Sequence, residues 1–265
     1  MSRVLDPKKA SAYGQATATK PQLAQPGTRR RLALLGGFEL VVDDAPGRLA
    51  FSAQRVLAFL ALQPRPVQRP FVAGCLWPES NQERANANLR TALWRLGDAH
   101  GALADEPASH LALRPDVAVD LHDARARARR LIHHHARPWD DDLETLSESG
   151  ELLPDWYDDW LEIERERFRQ LRLSALERLC IELTADGRFP EAVQAGVAAV
   201  AADRLRESAH RVLIAAHLAA GNPGEALQQY RSCRDVLARR LGWEPSLEMR
   251  LLVSALPFQA SRITR

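Results

Sequence analysis

The sequence has few cysteines, few lysines and no long apolar run. Its three cysteines, Cys75, Cys180 and Cys233, lie far apart without a C-x-x-C spacing. This pattern indicates neither a disulfide framework nor a zinc site, so each cysteine is expected to be a small buried apolar residue. No apolar run could cross a bilayer, and the first residues lack the apolar region of a signal peptide. We therefore expect a cytoplasmic protein without a membrane partner.

Catalytic motifs are also missing. The sequence contains no Gly-rich phosphate loop, G-x-S-x-G elbow, H-E-x-x-H pair or kinase motif. His100, His110 and His122 have no adjacent nucleophile or paired carboxylates. The run from His133 to His135 would point its rings about 100° apart on a helix, and the run from Asp140 to Glu144 lacks the spacing of a calcium loop and is expected to be a charged surface loop. We predict no enzyme, catalytic residue, cofactor or metal site.

The composition is that of a globular protein and does not indicate any particular binding partner. Its 265 residues are 46% hydrophobic and 26% charged, which is enough for two domains with sizeable cores. The net charge of +2 is too small to indicate nucleic acid by itself, since that requires clustered cations. The function must therefore be sought in local patterns.

Residues 31 to 122 alternate short strands and short helices. The stretch RLALLGGFELVVDD predicts two strands around Gly36-Gly37, and residues 49 to 52 could supply a third. Residues 53 to 62 predict a buried helix, and a second short helix has Pro70 in its first turn. After a third helix, residues 111 to 113 and 117 to 119 predict a hairpin around a turn at residues 114 to 116.

The third helix, from Ser80 to Leu96, carries the most informative pattern. Ser80 and Glu83 form a capping-box pair that predicts where it begins. One face is apolar, and the opposite face presents four polar side chains at spacings of four, three and four residues. This polar stripe consists of Arg84, Asn88, Thr91 and Arg95.

Side chains of these types can read DNA. Arginine can fork onto guanine and asparagine onto adenine, threonine can touch a thymine methyl, and all three also bond phosphates. A solvated face of an ordinary amphipathic helix is the alternative. The order of strands, three helices and a hairpin is that of a winged helix-turn-helix, whose third helix enters a DNA groove. A small α+β domain without a ligand is the other possibility.

The N-terminal half resembles the DNA-binding domain of the Streptomyces antibiotic regulatory protein family, which is an OmpR-type winged helix. The resemblance rests on LALLGGFELVVDD, RVLAFLALQ, Leu76-Trp77 and NLRTALWRL. It implies that residues 81 to 96 form the recognition helix and that the loop from Trp77 to Ser80 contacts RNA polymerase. The expected DNA-binding residues are Arg84, Asn88, Thr91 and Arg95, with Arg90 and Arg114, and the expected polymerase contacts are Trp77, Glu79 and Ser80.

The second half is helical and internally repeated. Six residues recur at an offset of 34, among them Ala175 with Ala209 and Gly187 with Gly221. That is the tetratricopeptide period, a helix-turn-helix with glycine at the turn. Two repeats cannot bury their faces alone, so helices at residues 124 to 135, 158 to 172 and 246 to 255 should cap them. Trp156 and Trp160 are expected to pack between layers.

This half resembles the bacterial transcriptional activator domain that follows the winged helix in the same regulators. The matching residues are the run from Leu153 to Trp156, Trp160, the pair Glu164-Arg165, two Gly-x-x-x-x-Ala units and the run from Leu241 to Ser246. We expect a mostly α protein with a small β component. Its parts would be a disordered tail over residues 1–30, a winged helix-turn-helix domain over 31–122, a helical tetratricopeptide-like domain over 123–256 and a C-terminal tail over 257–265.

Two functions remain open at this stage. The first is a sequence-specific transcriptional activator, nucleoid-associated, whose partners are double-stranded promoter DNA, RNA polymerase and a second copy of itself on DNA. The second is a protein-interaction adaptor that uses the repeat groove, with a winged helix of weak or lost DNA affinity. The adaptor is favoured by a net charge of only +1 between Arg29 and Leu121 and by Gly97-Asp98 at the end of the third helix.

Overall fold

The computed structural model of the protein describes residues 29–104, 109–133 and 141–254. Of the two expected tails, residues 1–28 and 257–265 lie outside these ranges, whereas Arg30, which was assigned to the first tail, begins the first strand. Within them, no helix is long and apolar enough to span a membrane. The elements of the first half are β1 Arg30–Ala33, β2 Glu39–Val42, β3 Ala45–Pro46, α1 Phe51–Ala61, β4 Val67–Gln68, α2 Arg69–Leu76, α3 Gln82–Trp94, a 3-10 helix Gly97–Ala102, β5 Leu103–Ala104, β6 His110–Leu113 and β7 Val117–Val119.

The second half consists of helices. They are α4 Asp120–His133, α5 Asp142–Glu148, α6 Asp159–Ala185, α7 Phe189–Ala202, α8 Glu207–Ala219, α9 Pro223–Leu241 and α10 Leu247–Ser254. The helix predicted from residue 124 begins four residues earlier, at Asp120, and is described as far as His133. The other two histidines of the run lie outside the described residues.

The first sheet has the strand order β3-β2-β1-β7. The two strands predicted around Gly36-Gly37 are confirmed and pair antiparallel, with Leu32 opposite Leu40. The third strand was wrongly placed at residues 49 to 52. Asp43 and Asp44 adopt left-handed backbone conformations, with φ of 48° and 63°, and turn the chain back directly into β3. Phe51 then begins α1.

The predicted hairpin of residues 111–113 with 117–119 is wrong. β7 instead pairs parallel to β1, with Val119 beside Leu32. β6 is the central strand of a second sheet of order β4-β6-β5, in which Leu111 lies opposite Val67 and Leu113 opposite Leu103. The wing is therefore β5 with β6. The predicted turn does form, with the Val117 N–H donating to the Arg114 carbonyl at 3.2 Å, but each strand buries its apolar side chains against a partner distant in sequence.

Helix α3 begins one residue later than the capping box predicted. The N-cap is Asn81, whose side-chain oxygen accepts the backbone N–H of Arg84 at 2.9 Å. Asn81 has the extended backbone that an N-cap requires, whereas Ser80 belongs to the preceding turn. The helix itself ends at Trp94, and Arg95 is its C-cap.

The repeat predicted in the second half is confirmed by two helix hairpins, α6 with α7 and α8 with α9. Gly187 and Gly221 form the two turns, with left-handed φ of 74° and 75° that favour glycine. The equivalent alanines Ala175 and Ala209 are both buried. At Gly196 the hairpins approach so closely that a β-carbon would lie 3.0 Å from the Leu213 side chain.

The acidic stretch after α4 is not a surface loop throughout, as the sequence had suggested. Asp142 begins α5 and is fully buried. Its carboxylate pairs with Arg130 and lies 3.6 Å from Arg127, both on α4. Arg127 also binds the exposed carboxylate of Asp141 at 2.7 Å. A buried ion-pair cluster therefore fixes α5 against α4.

Aromatic side chains join the helical half to the winged half, as predicted for Trp156 and Trp160. The Trp156 ring stacks on Phe38 at 5.8 Å and meets Phe51 edge-on at 5.1 Å. Trp160 meets Phe59 of α1 at 5.3 Å. Apart from the exposed Phe51, these aromatic residues belong to, or pack against, the core of the first half.

Backbone pairing reinforces this joint. The Gly36 N–H donates to the Glu151 carbonyl at 2.8 Å, and the Leu153 N–H donates to the Leu34 carbonyl at 2.9 Å. The backbones approach so closely that a β-carbon on Gly150 would lie 2.7 Å from the Gly36 Cα. The chain between α5 and α6 therefore pairs with the backbone of the winged half. The two halves are held together by a shared apolar core and by these backbone hydrogen bonds.

Candidate nucleic-acid interface

Helix α3 has one buried face and one exposed face. Ala85, Leu89 and Ala92 are almost fully buried in the core shared with α1 and α2, and Leu93 and Leu96 extend this side. This is the apolar face that the sequence predicted. Because the helix is fixed by that face, its other side chains are presented to solvent in a defined orientation.

The polar stripe lies on the solvent side of α3. Arg84, Thr91 and Arg95 are exposed, and Asn88 is half-buried. The Thr91 hydroxyl donates to the Ala87 carbonyl of the same helix at 3.0 Å. From Arg84 to Arg95 the stripe spans roughly 16 Å along the helix axis, a length that a major groove can accommodate.

A second exposed face, formed by Arg90 and Trp94, lies about a quarter turn around α3 from the stripe. Trp94 is 82% exposed, which is unusual for such a large apolar side chain. Both residues line an open depression of about 500 Å³. We call this depression the α3 cleft, and its lining residues are Arg69, Arg90, Leu93, Trp94, Gly97 and His100.

Sequence reasoning missed three of these residues. Trp94 could have been noticed because it falls four residues after Arg90 and outside the apolar face. Arg69 and His100 could not, since only the fold brings the start of α2 and the 3-10 helix beside α3. The backbone N–H of Arg69 donates to the Ser109 backbone carbonyl at 3.0 Å, so this side of the cleft adjoins the β5–β6 wing.

Arg114 lies at the base of the wing, at the opposite end of β6 from the connection between β5 and β6. Residues 105–108, which connect β5 and β6, are outside the described residues, and Ser109 and His110 follow them. Arg114 lies at the other end of β6 and holds Asp116 through its Nε at 2.9 Å. The bond from Arg114 lowers the pKa of the Asp116 carboxyl, and the same bond raises the pKa of Arg114. The structure does not bring Arg114 to the polar stripe.

The loop between α2 and α3 is tied to the helical half through Arg55, another residue that the sequence did not single out. Its guanidinium lies over the half-buried Trp77 ring, 5.8 Å from the centroid, and donates to the Leu76 carbonyl at 2.7 Å. Arg55 also pairs with Asp158, which accepts the Trp160 indole N–H at 3.0 Å.

The other two predicted contacts of this loop differ in exposure. The Glu79 side chain is exposed, and the half-buried Ser80 donates its backbone N–H to the Trp77 carbonyl at 3.1 Å. The loop therefore presents the Glu79 carboxylate to solvent, while the contacts of Trp77 and Ser80 hold its backbone in place.

Cys75 lies on α2, and Cys180 and Cys233 lie on α6 and α9 of the helical half. Cys180 and Cys233 are buried as expected, and burial raises the pKa of each thiol to about 11. Cys75 is only half-buried, which corrects the expectation for it, although burial raises its pKa as well. Among the described residues, no group of three or more histidine, cysteine or carboxylate side chains is placed to hold a metal ion.

Comparison with known proteins gives the family context. The bacterial transcriptional activator domain model matches residues 118–256. The regulatory protein AfsR of Streptomyces griseus is 28% identical over 231 residues, covering 80% of this chain and 22% of that protein. AfsR of Streptomyces coelicolor is 31% identical over 237 residues, covering 81% of this chain and 23% of that protein. The chain thus spans less than a quarter of the length of these curated relatives.

A solved structure shows the same fold. Mycobacterium tuberculosis EmbR, in complex with a low affinity phosphopeptide, superposes with a TM-score of 0.69 at 23% identity, covering 86% of this chain and 65% of that one. The expected fold class, a mostly α protein in which a winged helix precedes a helical domain, is confirmed.

Proposed function

The chain belongs to the bacterial transcriptional activator domain family, in the Streptomyces antibiotic regulatory protein group, and on that premise we propose that it binds promoter DNA sequence-specifically. Family membership indicates a transcriptional regulator rather than an enzyme. In our proposal α3 enters the major groove of double-stranded DNA, the protein acts as an activator through RNA polymerase, and two copies occupy the operator.

The observation that carries the proposal is the polar stripe. Arg84, Thr91 and Arg95 are exposed on a helix whose opposite face is fixed in the core, and the half-buried Asn88 lies between them. In this proposal Asn88 and Thr91 contact bases, whereas Arg84 and Arg95 contact bases or phosphates. The wing of β5 and β6 follows α3 in the chain, where a winged helix contacts the DNA backbone.

The low charge of the winged half predicts a modest dependence of binding on salt. Each phosphate contact contributes about −0.9 to the slope of log K against log salt concentration. If Arg84 binds a phosphate, Arg84→Ala should reduce the magnitude of that slope by about one unit. The measurement is fluorescence anisotropy with a labelled duplex at several salt concentrations.

An exposed arginine on α9 provides the control. Arg231→Ala removes the same charge from the helical half and should leave the slope unchanged. If Arg84→Ala leaves the salt slope unchanged, Arg84 does not contact a phosphate. Equal reductions in both variants would mean that the slope reports overall charge and not the α3 surface.

We place the polymerase contact at the loop of Trp77, Glu79 and Ser80. Support comes from its position outside α3 and from its connection to the helical half through Arg55 and Asp158. Glu79→Ala should reduce activated transcription in a purified system several-fold while DNA affinity stays as in the wild type, because the exposed Glu79 side chain lies outside the stripe. Loss of transcription only in proportion to lost DNA binding would argue against this contact.

The adaptor remains the second candidate because of two observations. The sequence from Arg29 to Leu121 contains eleven arginines and ten carboxylates, so its charges nearly cancel. The 3-10 helix after α3 begins with Gly97-Asp98 and not with further cationic residues. An adaptor would bind its partner through the helical half and would not enrich any DNA sequence.

A further inference from the structure

The α3 cleft has side chains suited to a nucleic-acid backbone. Two arginines and a histidine, Arg69, Arg90 and His100, are among its six lining residues, and no carboxylate of the described ranges lines it. This distinguishes the cleft from the rest of the winged half, where positive and negative side chains nearly balance. An open depression lined on one side by cations concentrates anions.

The exposed indole of Trp94 adds a second feature. A tryptophan that is 82% exposed leaves a large apolar surface in water, and nothing within the described part of the chain covers it. Indole rings pack favourably on the faces of sugars and bases. An aromatic face surrounded by cationic groups fits a chain of alternating sugars and phosphates.

The position of the cleft around α3 selects one occupant. When a helix lies in a major groove, the side chains at its centre face the base edges and those about a quarter turn away face a phosphate strand. The polar stripe occupies the first position, and Arg90 and Trp94 occupy the second. On the opposite flank Ala85 and Ala92 are buried, so only this flank is open to a strand.

From these observations we propose that the α3 cleft clamps the sugar-phosphate backbone of one strand of the duplex. Arg69, Arg90 and His100 contact successive phosphates, and the Trp94 indole packs on a deoxyribose between them. The clamp rests on the proposed function, and it adds a sequence-independent contact beside the base-reading stripe. It assigns to Trp94, Arg69 and His100 a role in affinity, not in specificity.

The test measures Trp94→Ala on two duplexes, one selected for tight binding and one random. The variant should lose about tenfold in affinity on both, because a backbone contact is the same on every sequence. Trp94→Phe should retain most of the affinity, since a smaller aromatic face remains. Arg69→Ala should reduce the salt slope by about one unit. Folding should be unaffected, as Trp94 is exposed, and circular dichroism checks this.

Tyr157 supplies a matched control because it is 95% exposed and lies before α6, in the helical half. Tyr157→Ala should bind both duplexes as the wild type does. Unchanged binding of Trp94→Ala would overturn the clamp, and so would a loss confined to the selected duplex, which would make Trp94 a base-reading residue. If variants of the polar stripe lose binding while Trp94→Ala does not, only the clamp fails. If the wild type binds neither duplex, the proposed function itself fails.

Discussion

Replacing Arg84 and Arg95 together with alanine is expected to weaken binding to a selected duplex by about 2–6 kcal/mol, which is roughly thirtyfold or more. Each arginine contributes about 1–3 kcal/mol when it contacts a guanine bidentately. The residues lie at opposite ends of α3, roughly 16 Å apart, so their losses should add. Isothermal titration calorimetry or anisotropy at fixed salt measures the affinity.

A charge-matched control separates this loss from a general electrostatic effect. Arg231→Ala with Arg240→Ala removes two exposed arginines from α9 and should change affinity little. The proposal fails at this point if the α9 variant loses as much as the α3 variant. It also fails if the α3 variant binds the selected duplex as tightly as the wild type does.

Asp142→Ala is expected to destabilise the protein by about 3–5 kcal/mol, the usual cost of removing one member of a buried ion pair. Asp142 is fully buried, and the side chains of its partners Arg127 and Arg130 are only 15% and 16% exposed. Without the carboxylate, the nearly buried guanidinium of Arg130 would lose its ion pair at the contact of α4 with α5, whereas Arg127 would keep Asp123 and Asp141. Urea denaturation followed by circular dichroism measures the free energy of unfolding.

The neighbouring residue provides the control for this prediction. Asp141 also binds Arg127, at 2.7 Å, but its side chain is 56% exposed. The Arg127 guanidinium lowers the pKa of the Asp141 carboxyl, yet water can replace this contact. Asp141→Ala should therefore destabilise the protein far less than Asp142→Ala. Equal losses would mean that burial of the pair is not what makes Asp142 important.

Local patterns predicted the helices well. The buried face of α3, the position of Pro70 in α2 and the repeat of α6 to α9 follow from the 3.6-residue period and from glycine at two equivalent turns. The cap of α3 was misplaced by one residue because Ser80 and Asn81 can both cap a helix. Only the backbone of the preceding loop decides between them.

Strand pairing and the joint between the halves could not be predicted in the same way. The sequence separates β1 from β7 by more than 80 residues, and nothing local to residues 117–119 indicates a parallel partner. Asp142 was expected at the surface because its acidic neighbours suggest a solvated loop. Its burial depends on the arginines of α4 that pair with its carboxylate, and these become its neighbours only in the folded chain.

The residues of the candidate site also fall into those that the sequence predicts and those that only the fold reveals. The polar stripe follows from helical spacing alone and was found from the sequence. The α3 cleft needs Arg69 from α2 and His100 from the 3-10 helix beside Trp94, and it became visible only in the folded chain. Arg114 illustrates the reverse case, since it begins the predicted turn but that turn joins β6 and β7, which belong to different sheets and do not form a hairpin.

Genomic DNA pull-down with sequencing tests the central claim, that the polar stripe of α3 reads promoter DNA. Purified wild-type protein and Asn88→Ala are each incubated at low salt with fragmented DNA of the source organism. The wild type should enrich a repeated motif, and Asn88→Ala should enrich it more weakly, by about 1–3 kcal/mol, with the preference at one base position relaxed. Absence of any enriched motif, or an identical motif of equal enrichment from both proteins, would contradict the account.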